Sequence, residues 1–170
     1  MIKFMKLLIN IFLIILFCYP KKEETISIKC MVEMIEYRGE GAYFSVSIIN
    51  GNDEYLKTIY VLGTDKTWFS EMKSFWVHLK KNNLFMDDDF YPLIDGISGP
   101  TISGGEKRIL QLKIPKKLFD ESNYLRFETA VEDKGYHTND INVSLNENNM
   151  NRLHKGNGFI KNIKIVLPEK

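Results

Sequence analysis

From Ile26 the chain alternates between apolar and polar positions. Ile26, Ile28, Cys30, Val32 and Met34 fall on one side, with Ser27, Lys29 and Glu33 on the other. A period of two is the signature of a half-buried strand. The run Arg38-Gly39-Glu40-Gly41 reads as a turn, after which Ala42, Phe44, Val46 and Ile48 resume the alternation. Asn50-Gly51-Asn52-Asp53 is the strongest hairpin signal in the chain, with Tyr55 to Leu62 as the returning strand. Residues 26–62 therefore predict an antiparallel meander.

The period changes between Thr67 and Lys81. Phe69, Met72, Phe75, Trp76 and Leu79 recur at steps of three and four, which predicts an amphipathic helix with Asp65 or Thr67 at its start. Trp68 and Trp76 read as core anchors. Residues 82–105 form a long connection. Strands resume with Leu110, Leu112 and Ile114, then with Leu125, Phe127, Thr129 and Val131, then with Ile141, Val143 and Leu145. The polar stretch 146–157 reads as a loop, and Phe159, Ile163, Ile165 and Leu167 close the sheet. The segment Leu118 to Tyr124 resembles the tyrosine corner of fibronectin-like sandwiches. About seven short strands with turn signals between them predict a mainly all-β fold, an immunoglobulin/fibronectin-like antiparallel β-sandwich with one inserted helix.

The start of the chain has a different character. Lys3 and Lys6 precede an apolar run from Leu7 to Tyr19, shorter than the ~20 residues that a membrane span takes. The run ends in Ile15-Leu16-Phe17-Cys18 and resembles a bacterial lipoprotein signal, which implies Cys18 as the lipidated residue; Phe17 stands where a small residue is usual. The expected organisation is a signal peptide over 1–17, a tether over 18–25 and a β-sandwich domain over 26–168. The protein is then expected outside the cytoplasm, in the periplasm or at the cell surface, attached to a membrane by its N-terminal lipid or anchor.

Charge excludes one class of partner. The chain carries 23 basic and 22 acidic residues, and loss of Lys3 and Lys6 moves the net charge from +1 to −1. Nothing there attracts nucleic acid. With Cys18 lipidated, Cys30 is left without an internal disulfide partner and is expected to pack as a small buried hydrophobe.

Candidate chemistry concentrates in Asp95-Gly96-Ile97-Ser98-Gly99-Pro100-Thr101, extended through Ile102-Ser103-Gly104-Gly105. Four glycines and a proline make this a conformationally demanding turn, and such turns can present backbone N–H groups to a phosphate. Elsewhere His78, His137 and His154 are scattered, with no spacing for a metal site. Asp87-Asp88-Asp89 lacks the spaced ligands of a calcium loop. Glu128 and Glu132 alternate on a strand without defining an acid–base pair.

The Asp-Gly-x-Ser-Gly-x-Thr spacing resembles the site at which periplasmic electron-transfer proteins receive covalent FMN, with Pro100 in place of the usual alanine. The resemblance implies Thr101 as the attachment residue, Asp95 for recognition by the FMN transferase or for metal binding within it, Gly96 and Gly99 for the turn, and Ser98 for the phosphate. The chain after residue 25 also resembles the domain of unknown function 2271 family of predicted periplasmic proteins. The resemblance rests on Trp68 to Trp76, Asp95 to Thr101, Gly105 with Ile109 to Ile114, and Tyr124 to Glu132. Together these imply a non-enzymatic, lipid-anchored electron-transfer module bearing FMN on Thr101, with redox proteins as partners. The alternative is a cofactor-free ligand- or protein-binding or structural lipoprotein. A hydrolase built on Asp95 and Ser98 is a weaker third reading.

Overall fold

The structure, a computed structural model, describes residues 23–63, 70–81 and 101–167. Among the described residues, eight strands form two antiparallel four-stranded sheets packed as a sandwich. The first has the order β4 (Lys107–Pro115), β1 (Thr25–Met34), β8 (Ile160–Val166), β7 (Leu153–Lys155). The second has the order β3 (Tyr55–Leu62), β2 (Tyr43–Ile49), β5 (Tyr124–Val131), β6 (Gly135–Ser144). The all-β sandwich expected from the alternation is the fold observed.

The expected meander over 26–62 is not formed. β1 pairs with β4 and β8, whereas β2 pairs with β3 and β5. The two halves of that segment lie in different sheets because both bury the same kind of face. Ile28, Cys30, Val32 and Met34 meet Phe44, Val46 and Ile48 across the sandwich core rather than side by side. Only the β2–β3 hairpin survives from the expected meander. Asn50 holds its turn, with Oδ1 accepting from the backbone N–H groups of Asn52 at 2.9 Å and Glu54 at 3.0 Å.

Further differences have local causes. β6 begins at Gly135, well before the expected Ile141, because its first half is polar and carries no apolar alternation. The stretch 146–157 contains the short helix α2 (Glu147–Met150), capped by Asn146, and the three residues of β7. The corner before β5 is tied by Asn123 rather than by Tyr124. Asn123 Nδ2 donates to the Leu118 carbonyl at 3.0 Å, and its own carbonyl accepts from Leu145 at 2.9 Å.

The main helix, α1 (Lys73–Lys81), lies on the outer face of the second sheet. Met72, Phe75 and Leu79 bury against Val61 and Ala130, with Trp76 half-buried beside them. This satellite cluster is separate from the sandwich core. Asp65, Thr67, Trp68 and Phe69, expected in and before this helix, lie outside the described residues. Cys30 is fully buried, as expected, and burial pushes its thiol up to about 12.

Candidate functional site

Of the motif residues, Thr101 is described. Asp95, Gly96, Ser98 and Gly99 lie outside the described residues, as does Cys18. Thr101 is half-buried beside the edge of the sandwich. The next residue, Ile102, is fully buried and exchanges two backbone hydrogen bonds with Ala42, at 2.7 and 3.1 Å. Tyr37 locks the same place. Its hydroxyl donates to the Ile102 carbonyl at 2.7 Å and accepts from the Ala42 N–H at 3.0 Å. The Thr101 side chain lies against Gly41 so closely that a Cβ at position 41 would collide with its Oγ1. Arg108 donates to the Thr101 carbonyl at 3.3 Å and to Glu106 Oε1 at 2.5 Å. The tail of the motif, Ser103 to Glu106, turns back on itself, and Gly105 donates to the Ile35 carbonyl at 2.9 Å.

A second group of polar residues lies on the outer face of the second sheet, beside and beneath α1. On β5, Leu125 and Phe127 face the sandwich core, so Arg126 and Glu128 face the helix. Both are buried. Glu128 Oε1 accepts from the Tyr55 hydroxyl at 2.6 Å, and its Oε2 accepts from the Tyr136 hydroxyl. Burial raises the Glu128 carboxyl well above the ordinary carboxylate range, against the opposing pull of the two phenol donors and of Arg126. Burial likewise raises Tyr55, with the Glu128 charge adding to it, and pushes Tyr136 up to about 12. Both phenols therefore stay protonated donors.

Arg126 pairs with Asp53, which stands at the tip of the β2–β3 turn with φ of 64°. Its guanidinium carbon lies 5.5 Å from the Tyr55 ring centre. On the helix side His78 stacks on the same ring, with centroids 4.5 Å apart, and burial lowers its pKa. Tyr55 thus joins the helix, the arginine and the buried acid.

Two adjoining clefts open here, of about 420 and 500 Å³, sharing Asp53, Tyr55, Ser74 and Val77. Their size suits a small organic molecule. No group of three His, Cys, Asp or Glu side chains able to hold a metal ion occurs among the described residues.

The alternation along β5 contained a signal for this site. Two charged residues on the outward face look solvated until a helix is laid over them. Glu128 stands out on its strand, but no spacing in the sequence brings Tyr55 and Tyr136 to it. His137 lies on β6, and His154, within the stretch expected as a loop, lies on β7. His137 meets Phe159 edge to face at 5.0 Å, and His154 Nε2 lies 2.8 Å from the Asn149 carbonyl.

The fold and these two sites define an antiparallel β-sandwich with a helix-covered polar cleft and a braced threonine at its edge. A family model described as "Predicted periplasmic protein (DUF2271)" matches residues 25–162. The chain belongs to that family, and its location is extracytoplasmic. No curated protein and no solved structure matches the chain.

Proposed function

We propose that this protein is a lipid-anchored extracytoplasmic carrier domain that bears FMN as a phosphoester on Thr101 and passes electrons between partner proteins. The Asp95-to-Thr101 motif and membership of a predicted periplasmic family support the reading. The observation that carries it is the bracing of Thr101. Its hydroxyl is on a residue adjoining a two-way backbone bridge, with the Arg108 cation at its carbonyl. The donor chemistry fits a phosphoester. Thr101 offers the oxygen, and Arg108, bonded to the Thr101 carbonyl and to Glu106, would supply the nearby positive charge. FMN supplies reversible one- and two-electron transfer when attached. Cys18 is the lipid attachment point in this scheme.

Intact mass of the protein from its native host, beside Thr101→Ala, tests the proposal. An added mass of FMN less water, absent from the variant, is expected. An unmodified chain from a host that makes the FMN transferase would overturn it. Cys18→Ala is expected to release the protein from the membrane fraction. The second reading is a cofactor-free ligand-binding lipoprotein. It is favoured by the cleft beside Arg126, whose chemistry is independent of Thr101.

A further inference from the structure

Arg126 is buried far more deeply than Asp53, the acid it pairs with directly. The residue is 3% exposed, whereas the Asp53 side chain that pairs with it is 74% exposed. That pairing uses Nη2 alone. Arg126 Nε is buried and has no hydrogen-bond partner. A buried, unpaired donor on a charged group is costly to keep. A guanidinium edge is built to give two parallel N–H bonds to one carboxylate, and here half of that edge is idle.

We propose that the cleft between α1 and the second sheet binds a small organic acid, whose carboxylate takes the Nε–Nη2 edge of Arg126 in place of Asp53. The group that occupies the edge now is itself a carboxylate, so the site is already matched to that chemistry. Asp53 is also placed to be displaced, because it is exposed at a turn tip and moves into water at little cost. The Tyr55 ring lies against the guanidinium, with 5.5 Å between its centre and the guanidinium carbon. Lys73, Ser74, Thr138 and Asn139 line the same cleft and offer donors to the rest of the ligand. A carboxylate is favoured over a phosphate because the group to be displaced is itself a carboxylate, held through a single oxygen. Glu128 turns its oxygens to the hydroxyls of Tyr55 and Tyr136 rather than to Arg126. The site is distinct from Thr101 and stands whether or not FMN is attached.

Titration calorimetry of the full chain with succinate tests this, with chloride at equal ionic strength and inorganic phosphate as separate arms. Saturable succinate binding is expected, without binding of chloride and with phosphate weaker. Asp53→Asn is the decisive variant. Asparagine tolerates the left-handed conformation at position 53, and the change removes the internal competitor while leaving Arg126 in place. It is expected to bind succinate roughly tenfold tighter, the worth of one competing charge-assisted hydrogen bond. Arg126→Lys keeps the charge but lacks the fork, and is expected to lose binding. Folded Asp53→Asn protein that binds no succinate, or binds it no tighter than the parent, overturns the proposal. So does preferential binding of phosphate, or undiminished succinate binding by folded Arg126→Lys. Should Arg126→Lys fail to fold, the Asp53→Asn comparison decides alone.

Discussion

Glu128 sits two residues beyond Arg126 on the same face of β5, yet the two charges are not paired with each other. Arg126 turns to Asp53, and Glu128 to the hydroxyls of Tyr55 and Tyr136. Phenol donors satisfy a carboxyl without neutralising it, so burial dominates and raises its pKa from 4.5 to about 7. The sign of the pH dependence follows. At low pH the group is protonated in both folded and unfolded chains and costs nothing. As pH rises above 4.5 the unfolded chain releases its proton while the folded one retains it, so stability falls until about pH 7. The loss is of the order of 3 kcal/mol. Urea midpoints at about pH 5 and about pH 8 are expected to reflect this fall, and Glu128→Gln is expected to remove it, leaving the opposite rise that the lowered pKa of His78 contributes in the same window. An unchanged difference in the variant would place its source elsewhere.

Asp140 is the polar link between the sheets. It is fully buried on β6 of the second sheet, and its oxygens take four hydrogen bonds. Thr129 Oγ1 donates from β5 at 2.6 Å, while Asn157, Gly158 and Ile160 donate backbone N–H groups at 3.0, 2.7 and 3.0 Å. The last three belong to the β7–β8 hairpin of the first sheet and the loop at its tip. Asp140→Asn replaces one acceptor oxygen by a donor facing donors. It is expected to destabilise by roughly 2 to 4 kcal/mol. Faster amide exchange at Gly158 and Ile160 than along the rest of β8, from Lys161 to Val166, would locate the damage at this hairpin.

These two acids explain how far the sequence reading could go. The strands were readable wherever one face was apolar, as in β1, β2, β4 and β8. Burial there follows from a period of two. Asp140 and Glu128 occupy strand positions that look solvated, and what buries them comes from distant segments: the 157–160 loop for one, Tyr55 and Tyr136 for the other. Sheet membership was hidden for the same reason. The alternation in β1 marks a buried face without naming the neighbour that covers its edges. At the Thr101 site, residue types suggested chemistry, but Tyr37 and Gly41 as its supports could not be read from spacing. One lies 65 residues from the carbonyl it holds.

Tyr37 fastens the seam beside Thr101 from outside the strand ladder. Its hydroxyl joins the Ala42 N–H and the Ile102 carbonyl, which are also bonded to each other. Removing it leaves no backbone group without a partner, so Tyr37→Phe is expected to cost only about 1 kcal/mol. Its local effect is expected to be larger than its global one. Hydrogen exchange at the Ala42 and Ile102 amides should quicken while β1 and β5 keep their protection. Equal loss of protection throughout would mean that the hydroxyl serves the whole fold rather than the seam.

Gly41 and Thr101 give the most direct probe of that seam. A Cβ at 41 would collide with Thr101 Oγ1, would lie 2.7 Å from Thr101 Cβ and 3.3 Å from its carbonyl carbon. Gly41→Ala is therefore expected to destabilise by about 1 to 3 kcal/mol through overpacking. Thr101→Ala removes the oxygen but keeps the Cβ, so it should relieve little of that strain. Thr101→Gly removes both, and the double variant with Gly41→Ala should be more stable than the two single changes predict by about 1 kcal/mol. Additive energies would mean that the backbone at 41 moves aside and that Thr101 is not held by this contact. A coupling seen with glycine and not with alanine at 101 would mean that the Cβ contact holds the residue, and that Thr101→Ala leaves its backbone in place. In that case an adduct absent from Thr101→Ala reports the loss of the attachment oxygen rather than a displaced loop.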